Sequence, residues 1–262
     1  MPEHVIALVI LGIAAGMLSG MFGIGGGVVI VPALTVLLGF ELKEAVGTSL
    51  AVLILPVSGF AVMAYYRAKK LQLRMAALVA LGLIFGAVLG AQVALELPGA
   101  TLQRIYGVFL IYVGWRFAEP RQVLGKNADK KPDQPEEKLA LDAQMGGALL
   151  LVGVTAGIAS GLFGIGGGLV IVPALVAFFH FDQKRAVGTS LGALLAPVSL
   201  GAVKLYYDAG KMEIATAAAI AVGLIGGAFL GARIALGLPS STIKRLYGVF
   251  LLLISLRFLL QL

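Results

Sequence analysis

The chain has no cysteine, a single tryptophan, two histidines and few charges: 13% of its 262 residues are Asp, Glu, Lys or Arg. Without cysteine there is neither a disulfide framework nor a thiolate metal site or nucleophile. His4 and His180 both fall at the ends of apolar stretches, and no HExxH or paired-carboxylate pattern occurs. Hydrolytic metal chemistry and general acid–base catalysis therefore find no residues to run on, and an enzyme is not expected. The acidic residues outside the central linker, among them Glu41, Glu44, Glu96, Asp182, Asp208 and Glu213, lie near segment ends. A proton relay through a carboxylate buried in a membrane is thus not expected. No cofactor and no metal are implied.

Apolar sequence is abundant, with 60% of residues hydrophobic. That composition belongs to an all-α polytopic membrane protein rather than a soluble domain. The formal charge of +7 sits mostly in short segments between apolar runs. There it acts as a topology signal, and nucleic acid is not an expected partner. The first apolar stretch, from Val5, lacks a basic leader and a clear cleavage site, so it is read as retained.

Two stretches organise the rest, Gly20–Leu34 (GMFGIGGGVVIVPAL) and Gly161–Leu175 (GLFGIGGGLVIVPAL). They belong to an internal duplication in which residues 20–117 align with 161–258 without a gap, at one constant offset of 141 residues. AVGTSL, PVS, a Tyr-Tyr pair and YGVFL recur at that offset, and roughly half the aligned positions are identical, which marks a true repeat. The expected organisation is a first transmembrane repeat (1–118), a charged, proline-containing cytoplasmic linker (119–142) and a second repeat (143–262). Each repeat offers the same pieces, in the first Val5–Phe22, Val28–Phe40, Ala45–Tyr66, Met75–Leu95 and Leu102–Phe117. The second piece is short of the ~20 residues a spanning helix needs. The first two pieces therefore form a glycine-broken helix or hairpin, followed by about three full spans.

If that pair returns to its starting side, each repeat crosses an odd number of times and the repeats are inverted. Arg67, Lys69, Lys70, Arg74, the linker, Lys184, Arg185, Lys244 and Arg245 then collect on one side. Lys43, Arg104, Lys204, Lys211 and Arg257 remain on the other. The positive-inside rule makes the first side cytoplasmic. Glycines at every fourth position (Gly12, Gly16, Gly20; Gly82, Gly86, Gly90; and their copies) predict close helix packing.

The glycine clusters are the candidate site. Gly23, Gly25, Gly26 and Gly27, with Gly164, Gly166, Gly167 and Gly168, cannot continue a stable helix, since glycine costs about 1 kcal/mol per position relative to Ala. A helix restarting at Val28 or Val29 would aim unpaired N–H groups and a positive dipole end at the break, favouring an anion. Neither cluster fits a P-loop or a dinucleotide fingerprint. Thr48, Ser49, Thr189 and Ser190 either bond back to their own helix or face a substrate. Ser19 and Ser160 precede the glycines, while Ser58 and Ser199 follow the mid-span prolines Pro56 and Pro197. Phe22 and Phe163 adjoin the glycines as packing residues or gates. Arg233, which replaces Gln92, and Lys204, which replaces Met63, break the symmetry; each snorkels to the interface or lines an anion path.

G-x-F-G-I-G-G-G-x-x-x-V-P-A-L followed by A-V-G-T-S-L, twice in a small multi-span chain, resembles the sulfite exporter TauE/SafE family. The resemblance covers nearly the whole chain apart from the linker. It implies a multi-pass protein of the bacterial inner membrane that moves sulfite, sulfonates or related anions, often outward; the two facing glycine breaks themselves predict alternating access. The resemblance places the substrate at Phe22, Gly23, Gly25–Gly27, Thr48 and Ser49 and at Phe163, Gly164, Gly166–Gly168, Thr189 and Ser190. Arg233 is a further candidate from its charge and its break of the repeat symmetry, not from the resemblance. The expected partners are a small anionic substrate and the lipid bilayer, with a homodimer left open. An anion channel, or a carrier of a non-sulfur carboxylate, would use the same residues.

Overall fold

A computed structural model describes residues 2–118 and 143–238. The linker at 119–142, the second copy of the last span, Lys244, Arg245 and Arg257 lie outside the described residues. The described residues form helices and no strands. The first half contains α1 (Pro2–Phe22), α2 (Gly27–Leu38), α3 (Leu42–Ile54), α4 (Gly59–Arg67), α5 (Leu73–Glu96) and α6 (Gly99–Ala118). The second contains α7 (Ala143–Phe163), α8 (Gly168–Phe178), α9 (Gln183–Leu194), α10 (Leu200–Asp208) and α11 (Ile214–Gly237). α1, α5, α7 and α11 are long and apolar enough to cross a membrane, whereas α2 and α8 are too short.

The stretch read as one span, 45–66, is two helices. α3 and α4 meet at a 52° bend. Pro56 lacks an N–H and would crowd the carbonyl four residues back, and it forces Leu55 into an extended conformation (φ −69°, ψ 147°). Pro197 interrupts the second half at the same place, between α9 and α10. The restart after each glycine cluster comes one residue earlier than the apolar pattern suggested, at Gly27 and Gly168.

The glycine stripes zip the halves together. A Cβ at Gly12, Gly16 or Gly20 of α1 would strike the carbonyls of Ile220, Leu224 or Ala228 of α11. In the same way Gly82, Gly86 and Gly90 of α5 lie against Leu150, Val154 and Ile158 of α7. Numbering rises together on both members of each pair, so the helices run parallel at backbone contact distance. Each long helix thus packs most extensively on a helix of the other half.

Two ion pairs fix the ends. Lys211 Nζ lies 2.6 Å from Glu41 Oε2, and Lys70 Nζ lies 3.5 Å from Asp182 Oδ2. These pairs are related by the offset of 141 residues. Lys70 immediately precedes α5, whereas Lys43, two residues from Glu41, donates to the carbonyl of Leu95 at the far end of α5. The two pairs are therefore separated by the length of that 24-residue helix, about 36 Å. Lys69 and Lys70 meet the first turn of α9, which carries Lys184 and Arg185, at one end, and the first turn of α3, which carries Lys43, meets Lys211 at the other.

Candidate functional site

Both glycine breaks run to the middle of the molecule and touch. Gly26 and Gly167 cap α2 and α8 with left-handed backbone (φ +86° and +83°), a conformation that other residues adopt only with strain. A Cβ at Gly27 would fall on the carbonyl oxygen of Gly164, and one at Gly168 on that of Gly23. Only glycine lets the two backbones approach this far.

Hydroxyls tie the carbonyl ends of the preceding helices. Ser49 Oγ donates to the Gly164 carbonyl and Ser190 Oγ to the Gly23 carbonyl, each at 2.7 Å. Tyr65 Oη donates to Gly20 O (3.0 Å) and Tyr206 Oη to Gly161 O (2.9 Å). Thr48 Oγ1 accepts from the Glu213 N–H at 3.0 Å, and Thr189 Oγ1 from the Gln72 N–H at 3.2 Å. Thr48, Ser49, Thr189 and Ser190 are fully buried, and their recurring hydroxyls stitch one half to the other instead of bonding back within their own helices.

Between the breaks lies a small cavity of about 10 Å³. Its lining is Ser19, Gly25, Leu53, Val57 and Ser58, together with Ser160, Gly166, Leu194, Val198 and Ser199. Those are five residues and their five copies at the repeat offset, so the cavity sits on the pseudo-two-fold axis. Glycine breaks and proline breaks both open onto it. Ser199 Oγ donates to Leu50 O at 3.3 Å. Ser19 Oγ is fully buried and has no hydrogen-bond partner among the described residues. The N–H groups of Gly25 and Gly166 find no acceptor among the described residues. Buried donors and hydroxyls are almost always satisfied, so this cluster is equipped for something that accepts hydrogen bonds.

Of the residues singled out in the sequence, Gly25 and Gly166 line the cavity, and the neighbouring glycines shape the breaks. Thr48, Ser49, Thr189 and Ser190 hold the frame around it. Phe22 and Phe163 are buried; Phe163 packs on Phe109 (4.9 Å between ring centres) and Tyr106 (5.3 Å) of α6. Arg233 lies on the exposed face of α11 with its guanidinium 4.4 Å from the Phe229 ring centre, outside the lining. Lys204 pairs with Asp208 on the surface. The four lining serines, Ser19, Ser58, Ser160 and Ser199, stand beside the breaks in the sequence, whereas the family resemblance points to the Gly-Thr-Ser repeats. Their signal was position: each hydroxyl flanks a helix break and recurs at the same offset.

Residues 7–258 match the family described as Sulfite exporter TauE/SafE. A probable membrane transporter protein of Methanocaldococcus jannaschii is 32% identical over 270 residues, covering 94% of each chain. One from Bacillus subtilis is 30% identical over 263 residues, covering 95% of each. A third, from Haemophilus influenzae, is 26% identical over the full length of both chains. No solved structure matches the chain. With its set of apolar spanning helices and this family match over nearly its whole length, the chain belongs to the sulfite exporter TauE/SafE family of multi-pass membrane transporters.

Proposed function

We propose that this protein is a carrier for small sulfur-containing anions, such as sulfite or sulfonates, working by alternating access around the central cavity. The observation that carries the reading is the unpartnered, fully buried Ser19 hydroxyl facing a cavity where two helix breaks leave amide donors without acceptors. Sulfonate or sulfite oxygens accept such hydrogen bonds, and the helix starts at Gly27 and Gly168 add positive dipole ends. Gly23–Gly27 and Gly164–Gly168 provide the breaks, Thr48, Ser49, Thr189 and Ser190 keep them in register, and the four lining serines bind the anion.

A carrier is favoured over a channel by the size of the cavity. A space of about 10 Å³ takes roughly one water, so an oxyanion enters only when the breaks move apart. The two halves are taken to cross the bilayer in opposite senses. The support is the position of the Glu41–Lys211 and Lys70–Asp182 pairs at opposite ends of α5. Each pair closes one mouth, and releasing one while keeping the other exposes the site to a single side. Export and a location in the cell membrane follow from the family resemblance.

The test is flux of sulfite and methanesulfonate into proteoliposomes by Ser19→Ala, Ser160→Ala and the unaltered chain. Loss of one anion-binding hydroxyl should lower apparent affinity about tenfold. Ser19→Ala should leave thermal stability unchanged, because that hydroxyl has no protein partner to lose. Unaltered flux in the folded Ser19→Ala variant would remove the cavity from the transport path.

A further inference from the structure

The cavity lacks countercharge, and that restricts what it can hold. None of its ten lining residues is ionisable. Leu53 lies twelve residues along α3 from Glu41, and Leu194 twelve residues along α9 from Asp182. Each ion pair is therefore about 18 Å of helix away from the cavity. Both lysines of those pairs already face carboxylates. Arg233 is committed to the Phe229 ring on the outer face of α11.

The positive potential at the centre comes instead from backbone. α2 and α8 both begin at the cavity, and each helix start is equivalent to roughly +0.5 of a charge, or about +1 together. The opposing carbonyl ends of α1 and α7 are covered by donors, with Ser190 and Tyr65 on the first and Ser49 and Tyr206 on the second. Backbone amides also cover them: Gly23 N–H donates to Ser19 O and Gly164 N–H to Ser160 O, both at 2.7 Å. The amide starts, by contrast, have no acceptor at Gly25 and Gly166. The ends of α3 and α9 and the starts of α4 and α10 also border the cavity and offset one another, so the balance rests with the two glycine-capped starts and is positive by at most about one charge.

Resting on the carrier reading above, we infer that the site takes singly charged anions and excludes dianions. One negative charge is matched by the two helix starts. A second would be left uncompensated in an uncharged, buried site, and the cost of removing an ion from water rises with the square of its charge, roughly fourfold from mono- to dianion. Simple alkanesulfonates such as methanesulfonate, which carry one charge at any ordinary pH, fit this rule. Sulfite fits it as bisulfite, and sulfate does not. The hydroxyls and amides distinguish the accepted anions by their oxygens, while the missing cation distinguishes them by charge.

The experiment uses the full-length protein in proteoliposomes, with protein-free liposomes subtracted, and follows methanesulfonate, sulfate and sulfite from mildly alkaline to mildly acidic pH. Methanesulfonate flux should be nearly independent of pH, and sulfate flux should be at least roughly tenfold lower. Sulfite flux at constant total concentration should rise on acidification in step with the bisulfite fraction. The methanesulfonate arm separates titration of the substrate from titration of the protein, because its own charge does not change. Sulfate flux comparable with that of methanesulfonate, or sulfite flux that follows the dianion fraction, would overturn the charge rule and leave the carrier intact. No flux of any of the three from folded protein would overturn both.

Discussion

The centre of the molecule and its two ends stand in different relation to the duplication. At the glycine breaks the hydroxyl-to-carbonyl bonds recur at the repeat offset: Ser49 on Gly164 mirrors Ser190 on Gly23, and Tyr65 on Gly20 mirrors Tyr206 on Gly161. The two bonds of each pair agree in length to within 0.1 Å. At the ends the copies diverge. Glu44 stands where the second half has Arg185, Arg67 where it has Asp208, and Gln72 where it has Glu213. One end is consequently acidic around Glu41 and Lys211, and the other is basic around Lys70 and Asp182. The central cavity is lined by the same residues from both halves, whereas the two ends carry different charge.

The comparison is broken most severely by side chains placed between the two breaks. Gly168→Ala puts a methyl group onto the Gly23 carbonyl, and Gly27→Ala does the same at Gly164. Overpacking of this kind costs about 1–3 kcal/mol and more where backbone must move. Both variants should fall sharply in thermal stability and lose flux, by similar amounts. Gly147→Ala in α7, with open space around its Cβ, serves as the control and should be neutral or gain up to ~1 kcal/mol from helix propensity. A large difference between Gly27→Ala and Gly168→Ala would mean that the centre is not symmetric.

Ser49→Ala and Ser190→Ala come next. Each removes the side-chain donor from a buried carbonyl, at a cost of about 1–3 kcal/mol. Melting curves in detergent should show matched losses. Equality between the two sharpens the claim of a shared frame, and inequality localises the weaker half.

How these hydroxyls behave shows where the sequence stops being readable. The repeat, the helical pieces and the two breaks follow from composition and spacing, because glycine clusters and apolar periodicity act within a few residues. That Ser49 and Ser190 bond across the molecule does not follow, since their acceptors lie 115 and 167 residues away and are selected by the packing of helix pairs. Ser19 was visible as a polar residue beside a break, but its missing partner is a property of the assembled core. Pro56 marked a mid-span break in the sequence, but the 52° angle between α3 and α4 belongs to the folded molecule.

The smallest expected effect lies at the ends, and it bears most directly on how the site opens. The Glu41 carboxylate, by hydrogen bond first and by charge second, holds the Lys211 ammonium above the usual lysine range, and Glu44 adds to it. A raised lysine value means that the pair persists through neutral pH and is lost only as pH climbs through that raised value. Loss of the lysine proton should therefore not be what opens this mouth near neutrality, and only strong alkali should weaken the pair. Lys211→Gln removes the pair at any pH, and Lys70→Gln removes its counterpart at the other mouth. Because the chain has no cysteine of its own, Ser58→Cys gives a single reporter in the cavity lining, read with membrane-impermeant thiol reagents added from either side. Lys211→Gln should increase labelling from the acidic side and Lys70→Gln from the basic side. Each effect should be a factor of a few, because exposed ion pairs contribute little. If both substitutions raised labelling from the same side, the two pairs would not be separate closures of opposite mouths. If neither changed it, the mouths would be held by the packing of α3, α4 and their copies alone, and the charges would serve orientation only.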